Sequence, residues 1–92
     1  MDSYMIGYDL NRPHQDYPDL WNAIKAYGTW WHNLDSTWII ISNKTAVEIC
    51  DDLRRHVDPN DELLVARVTR NAAWVGFNDK ASSWLKEHLA NT

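Results

Sequence analysis

The sequence is poor in the residues that mark secreted, membrane-spanning or flexible proteins. It has one cysteine in 92 residues and therefore cannot form a disulfide within the chain. No uninterrupted apolar run is longer than that of residues 38–41, which is far shorter than the roughly 20 residues of a membrane-spanning helix. Neither a signal peptide nor a low-complexity linker is recognisable. These absences predict one domain over residues 1–92, cytoplasmic and without a membrane partner.

Basic residues are scarce relative to acidic ones. Nine Lys and Arg against 13 Asp and Glu give a net charge of −4 at pH 7, whereas nucleic-acid-binding domains usually carry excess positive charge. Uniform coating of a phosphate backbone is therefore not expected, and any contact with RNA or DNA has to come from local basic positions. The candidate nucleic-acid-binding arginines are Arg12, Arg54, Arg55, Arg67 and Arg70.

Tryptophan, in contrast, is abundant, with six copies in 92 residues. A thin core holds some of them, and indole groups beyond that need are typical of protein interfaces. Two interpretations stay open: the tryptophans fill the core of one chain, or part of them forms the interface of a dimer.

Hydrophobic periodicity and turn residues predict a regular order of strands and helices. Asp35 and Ser36 separate two runs rich in Trp, Ile and Thr, which predicts a hairpin. Thr45 and Glu48 form a capping box, which predicts the start of a helix. In chain order we expect a strand at 4–10, a helix from 16 that Gly28 ends, strands at 29–34 and 37–42, a helix at 45–57, a strand at 62–68, a short strand at 72–77 and a helix at 79–89.

This order predicts an α+β fold of the ferredoxin-like βαββαβ type, with an antiparallel sheet, a short extra strand and a C-terminal helix. Two helices of the core motif cover one face of such a sheet. The core motif leaves the other face without a helix, and a second copy of the chain is its simplest cover. A homodimer is therefore expected.

Asp9 is the candidate catalytic and metal-binding residue. It ends the first predicted strand and precedes a loop that carries Arg12 and His14. A strand-end carboxylate can meet its symmetry mate across a two-fold axis, and paired carboxylates bind magnesium. Alternatively, Asp9 caps the following loop through hydrogen bonds, as most such aspartates do. His14 is a candidate proton carrier beside Asp9, against the simpler reading of a solvated loop histidine.

The remaining residues give weaker signals. Trp30 and Trp31 are adjacent on a strand and point to opposite faces, so at most one of them stacks on unpaired bases; Trp31 is the candidate. The four histidines lack the spacing of zinc ligands, and no glycine-rich phosphate loop occurs. Cys50 lies on the apolar side of the second predicted helix and is expected to be inert.

Several short motifs resemble the CRISPR-associated Cas-two family and its VapD-type relatives among toxin–antitoxin proteins. Tyr8-Asp9-Leu10 matches the Tyr-Asp-aliphatic end of that family's first strand, and residues 24–28 match its aliphatic-x-x-Tyr-Gly helix end. Ser36 lies between the hairpin strands, and residues 57–65 place an acidic turn before the last core strand. The resemblance covers roughly residues 4–68.

The resemblance implies a ferredoxin-like homodimer in which the two Asp9 residues, one from each subunit, hold one magnesium ion between them for phosphodiester hydrolysis, as in an endoribonuclease or DNase. It also implies that residues 73–75 could cross to the partner's sheet as a fifth strand. Many members of the family grip duplex DNA without cutting it. Two functions therefore stand side by side: a metal-dependent nuclease, and a non-catalytic dimeric scaffold, adaptor or antitoxin-type module that binds RNA, DNA or protein.

Overall fold

The computed structural model describes residues 1–10 and 17–91, which form four strands and three helices. In chain order these are β1 Asp2–Asp9, α1 Pro18–Lys25, β2 Trp30–Leu34, β3 Thr37–Ser42, α2 Ala46–Arg54, β4 Glu62–Val68 and α3 Asp79–His88. The strands form one antiparallel sheet in the order β2-β3-β1-β4. The predicted α+β class is confirmed, and the arrangement is compatible with a ferredoxin-like fold. No helix in these ranges has the length and apolar character needed to cross a bilayer.

The start of α2 follows directly from the local sequence. The Thr45 hydroxyl accepts from the Glu48 N–H at 3.2 Å, and the Glu48 carboxylate accepts from the Thr45 N–H at 2.9 Å. This confirms the capping box, which satisfies two backbone donors at the helix end. The helix ends at Arg54, earlier than predicted, because the chain turns there and the His56 N–H bonds to Leu53 O instead.

The main core lies between the first face of the sheet and the two helices α1 and α2. Side chains alternate between faces along a strand, so the even-numbered positions of β1 and β3 share the helix side. The buried members of this core are Tyr4, Ile6, Trp38 and Ile40 from the sheet, with Leu20, Ile24, Ile49 and Leu53 from the helices. The apolar side of each helix and the apolar side of the sheet therefore pack together in one cluster.

The second face of the sheet is covered partly within the same chain. Trp31 of β2 forms a second core with Ala81, Leu85 and Leu89 of the α3 region. The Trp31 indole N–H donates to Ala81 O at 3.2 Å, which fixes α3 against the sheet. The expectation that a second copy must cover this face is therefore wrong for the part under α3.

The predicted strand at residues 72–77 does not form. Directly after β4, Thr69 instead forms an isolated β-bridge with Ala90, near the end of the chain. Trp74 and Phe77 pack on the second core, and the Trp74 indole donates to the Ser82 hydroxyl at 3.0 Å. The apolar side chains that predicted a strand thus serve packing against α3.

The six tryptophans divide between the two sides of the sheet. Trp21 and Trp30 make ring contacts with Trp38 on the side of α1, with centroids 6.1 and 5.4 Å apart. Trp31, Trp74 and Trp84 belong to the second core. Packing within one chain accounts for all six positions, although Trp21 and Trp30 stay partly exposed.

Ser3 joins the last residues of the chain to the sheet, and we predict that its hydroxyl is needed for stability. Ser3 is fully buried, donates to Val68 O at 2.7 Å and accepts from the Ala90 N–H at 3.0 Å. Ser3→Ala leaves both backbone groups without their partner, so the free energy of unfolding should fall by about 1–3 kcal/mol. Urea denaturation measures this loss.

The matched control is Ser83→Ala, at an exposed position in α3. Because alanine is the better helix former, this change should leave the unfolding free energy equal or slightly higher. Equal stabilities for the two variants would contradict the role assigned to Ser3.

Candidate functional site

Asp9 and Glu62 form a pair of carboxylates at one end of the sheet. Asp9 is the last residue of β1 and lies opposite Glu62, the first residue of β4. Opposite residues of antiparallel strands point to the same face, with Cβ atoms about 4.5–5.5 Å apart. Both side chains are exposed, and within the described residues neither has a hydrogen bond or an ion pair. These two exposed carboxylates, which we call the acidic pair, therefore share this sheet end.

An uncovered apolar row borders the acidic pair on the second face. Leu34, Thr37, Gly7 and Leu64 lie side by side across the four strands, and none of them belongs to the second core. Leu34 is 45% exposed and Leu64 is 57% exposed. A Cβ atom added at Gly7 would meet nothing within 4 Å, so the middle of this apolar row is open to an incoming surface.

Tyr8 holds the strand end from the opposite face. Its hydroxyl accepts from the indole N–H groups of Trp21 at 3.1 Å and Trp38 at 3.0 Å. It also donates to Asp35 O at 3.5 Å, in the hairpin turn. His32 stacks on Trp38 with ring centroids 3.8 Å apart. Because β1, α1 and the hairpin meet at one hydroxyl, the position of Asp9 next to Tyr8 is fixed by hydrogen bonds.

The acidic pair has the donor chemistry that magnesium prefers, but one chain supplies only part of a site. Mg²⁺ takes six oxygen ligands, commonly one or two carboxylates with waters and substrate phosphates. The described residues contain no group of three or more His, Cys, Asp or Glu side chains that could hold a metal ion. The remaining ligands would have to come from water, phosphate oxygens or a second chain.

The predicted basic residues lie on three different parts of the fold. Arg54 and Arg55 lie at the end of α2, and Arg67 on β4 pairs with Asp2 at 3.5 Å. Asp2 begins β1 and Asp9 ends it, so Arg67 is near the opposite end of that strand. The Arg70 guanidinium donates to Leu89 O at 3.1 Å and thereby helps hold the end of α3. These arginines do not gather around Asp9.

Two further site predictions need a correction or lie outside the described residues. Trp31 is only 6% exposed and packs in the second core, so the prediction that it stacks on a base is wrong. Trp30 reaches solvent instead, with Lys25 Nζ 5.3 Å from its ring centroid. Arg12 and His14 lie outside the described residues.

Sequence reasoning missed Glu62 as the partner of Asp9. Both strands were predicted, but their pairing depends on register between segments more than fifty positions apart. Aligning the apolar residues that face the helices, Ile6 with Val65, would have placed Glu62 opposite Asp9. The signal was therefore in the alternation of the two strands and not in a local motif.

Comparison with protein-family models, with curated proteins and with solved structures finds no match. The motif residues do occupy defined places in the fold. Tyr8 and Asp9 end β1, Gly28 follows α1 with φ of 97°, and Ser36 lies in the hairpin turn.

We predict that Tyr8→Phe destabilises the protein by about 1–3 kcal/mol, because the buried Trp38 indole N–H loses its acceptor. Trp38 is 0% exposed, and its indole N–H would be left unpaired in the main core. The measurement is urea denaturation followed by tryptophan fluorescence. Tyr4→Phe is the control, since the Tyr4 hydroxyl has no hydrogen bond within the described residues. A smaller effect at Tyr8 than at Tyr4 would show that the hydroxyl does not hold the strand end.

Proposed function

We propose that the chain is a Cas-two-like, ferredoxin-like protein that processes nucleic acid as a homodimer, with Asp9 of both subunits at a magnesium-dependent phosphodiester-cleaving site. The observation that supports this proposal is the acidic pair, two exposed carboxylates directly opposite each other, beside the uncovered apolar row. Carboxylates directly opposite each other repel, so the pair is unfavourable unless a cation neutralises it. Such an arrangement is typical of a binding site.

The apolar row supports the homodimer. Leu34 and Leu64 expose apolar surface that a second copy can cover, and Gly7 between them allows close approach. In a two-fold dimer the same patch is used by both subunits. Packing row against row therefore brings the two acidic pairs to one interface, where they offer four carboxylates.

In this proposal each residue has a defined task. Asp9 and Glu62 hold the cation, and Tyr8 positions the end of β1 through its hydrogen bonds to Trp21 and Trp38. A bound magnesium ion supplies an activated water and stabilises the leaving oxygen of the phosphodiester. RNA and DNA both present the phosphates that complete the ligand set.

A second candidate function is a non-catalytic dimeric module that binds nucleic acid or protein as a scaffold, adaptor or antitoxin-type partner. The net charge of −4 favours it, because an acidic chain attracts nucleic acid weakly over most of its surface. The arginines set apart from Asp9 favour it as well. In this function the apolar row serves association, and the acidic pair cuts nothing.

The decisive experiment assays single-stranded RNA and duplex DNA with magnesium and with a chelator. We expect cleavage that the chelator and Asp9→Asn both abolish. Glu62→Gln should lower it strongly, whereas Glu87→Gln, at an exposed position in α3, should leave it unchanged. Cleavage that survives Asp9→Asn contradicts the nuclease proposal, and binding without cleavage by the unaltered chain supports the binding module.

Thermal melts of the same variants separate a metal site from a structural Asp9. Ligand that binds only the folded protein stabilises it, by about 1.4 kcal/mol when its concentration is tenfold above Kd. Magnesium should therefore raise the melting temperature of the unaltered chain but not of Asp9→Asn. Without magnesium, Asp9→Asn should be as stable or slightly more so, because repulsion with Glu62 is relieved. A loss of about 1 kcal/mol would instead indicate a structural carboxylate.

We predict that Leu64→Asp shifts the chain toward the monomer, because it places a charge in the apolar row. Val47→Asp is the control, since Val47 is an exposed apolar residue on α2, away from the apolar row. Sedimentation at micromolar concentration, with magnesium present, measures the oligomeric state. A monomeric unaltered chain, or equal effects of both changes, would contradict a homodimer built on the apolar row.

A further inference from the structure

A groove of about 570 Å³ lies between the end of α1, the end of α2 and the residues that follow β3. Its volume falls within the range of about 300–1,000 Å³ that small-molecule sites occupy. Ala23 and Ala26 line its α1 side, and their short side chains leave space between the helices. The acidic pair does not line this groove, so the two sites are separate.

The Asp52 carboxylate is in contact with three other polar side chains of the groove. Its Oδ2 accepts from Lys44 Nζ at 2.6 Å and from the Tyr27 hydroxyl at 2.8 Å. Arg55 Nη2 lies 3.8 Å from the other carboxylate oxygen. The hydrogen bond from Lys44, and then that from Tyr27, holds the pKa of Asp52 below its ordinary value. The pKa of Tyr27 is raised, first by burial of its side chain and second by its hydrogen bond to the Asp52 carboxylate, so the phenol stays neutral. Two cations therefore face one anion.

Lys44 and Arg55 have more side-chain N–H donors than their partners among residues 1–10 and 17–91 use. An ammonium carries three N–H groups and a guanidinium five. Within the described residues the Lys44 ammonium donates to the Asp52 carboxylate alone, and it lies 5.5 Å from the centroid of the Tyr27 ring. The two contacts of Arg55 with Asp52 are long, at 3.5 and 3.8 Å. His56 lines the same groove and adds ring nitrogens. The groove therefore offers cationic donors to an anion, in a chain whose net charge is −4.

The groove also has an apolar wall. Leu53 is fully buried beneath it, and the half-buried Ile41 and Tyr27 line it. An inorganic ion would use the cations alone and leave this wall in contact with water. A ligand with an anionic end and an apolar body would use both parts.

We propose that this groove binds a small organic phosphate, with the phosphate group on Lys44 and Arg55 and the apolar body against Leu53 and Ile41. Lysine and arginine together suit a phosphate, because the guanidinium fork matches two of its oxygens and the ammonium adds a point charge. The proposal does not depend on the acidic pair or on nucleic-acid cleavage.

The test titrates adenosine monophosphate, inorganic phosphate and adenosine separately into the full chain, followed by the backbone amide signals in NMR. We expect adenosine monophosphate to bind most tightly and to shift signals from the groove. Arg55→Ala should weaken its binding about tenfold, the effect of one lost charge-assisted contact. Ala26→Leu should also weaken binding, because it fills the groove without changing the charge.

Arg54→Ala is the matched control. Arg54 neighbours Arg55 at the end of α2, pairs with Asp51 at 3.5 Å and does not line the groove. The Arg54→Ala change removes the same charge as Arg55→Ala and should leave the affinity for adenosine monophosphate unchanged. Equal weakening by Arg54→Ala and Arg55→Ala would overturn the proposal, because it would indicate general electrostatic attraction. Absence of saturable binding, or equal affinity for adenosine or for inorganic phosphate, would overturn it as well.

Discussion

The main core and the attachment of the chain's last residues to the sheet both depend on the alternation of side chains along β1. This strand lies inside the sheet and pairs with β3 on one edge and β4 on the other. Its even-numbered residues Tyr4 and Ile6 belong to the main core. On the other face of the sheet, the Ser3 hydroxyl is hydrogen-bonded to Val68 O and to the Ala90 N–H. A shift of one residue in register would exchange the two sides. It would place tyrosine and isoleucine on the side of α3 and turn the Ser3 hydroxyl toward the main core, away from Val68 O and the Ala90 N–H.

The second face shows how a small chain covers a sheet without a second layer of equal size. α3 and the segment before it protect Trp31 and neighbouring positions, but α3 is only 10 residues long. Such a helix is about 15 Å long, so part of the sheet remains outside it. The uncovered part is the end that carries Leu34 and Leu64, beside Asp9. The same limited length that leaves apolar surface exposed therefore also leaves the acidic pair accessible.

Much of the local structure could be predicted, because its causes are local. The hairpin follows from Asp35 and Ser36 between two β-rich runs, and the start of α2 follows from Thr45 and Glu48. The strand at 72–77 was wrong because aromatic and aliphatic residues favour a strand and equally favour packing on a helix. Trp31 was misjudged for a related reason: alternation says that neighbouring tryptophans point to opposite faces, but not which face the chain later covers.

The functional residues were predictable only where they depend on one segment. Asp9 was identified from its place at a strand end, whereas its neighbour Glu62 depends on pairing across the sheet. The groove between α1 and α2 has no local signature at all. Lys44 and Asp52 are eight positions apart, before and within α2, and only packing of the helices brings Tyr27 to them.

Net charge is a poor guide to binding in this chain because opposite charges are sorted into separate places. At physiological ionic strength charges are screened beyond about 8 Å, so a ligand responds to the side chains nearest to it and not to the total of −4. At the sheet end the exposed carboxylates of Asp9 and Glu62 lie opposite each other. In the groove one acid, Asp52, holds Lys44 and Arg55 close together and leaves a local excess of positive charge. Asp52 thus restricts two flexible cations, which would otherwise lose more side-chain entropy if a ligand bound to them.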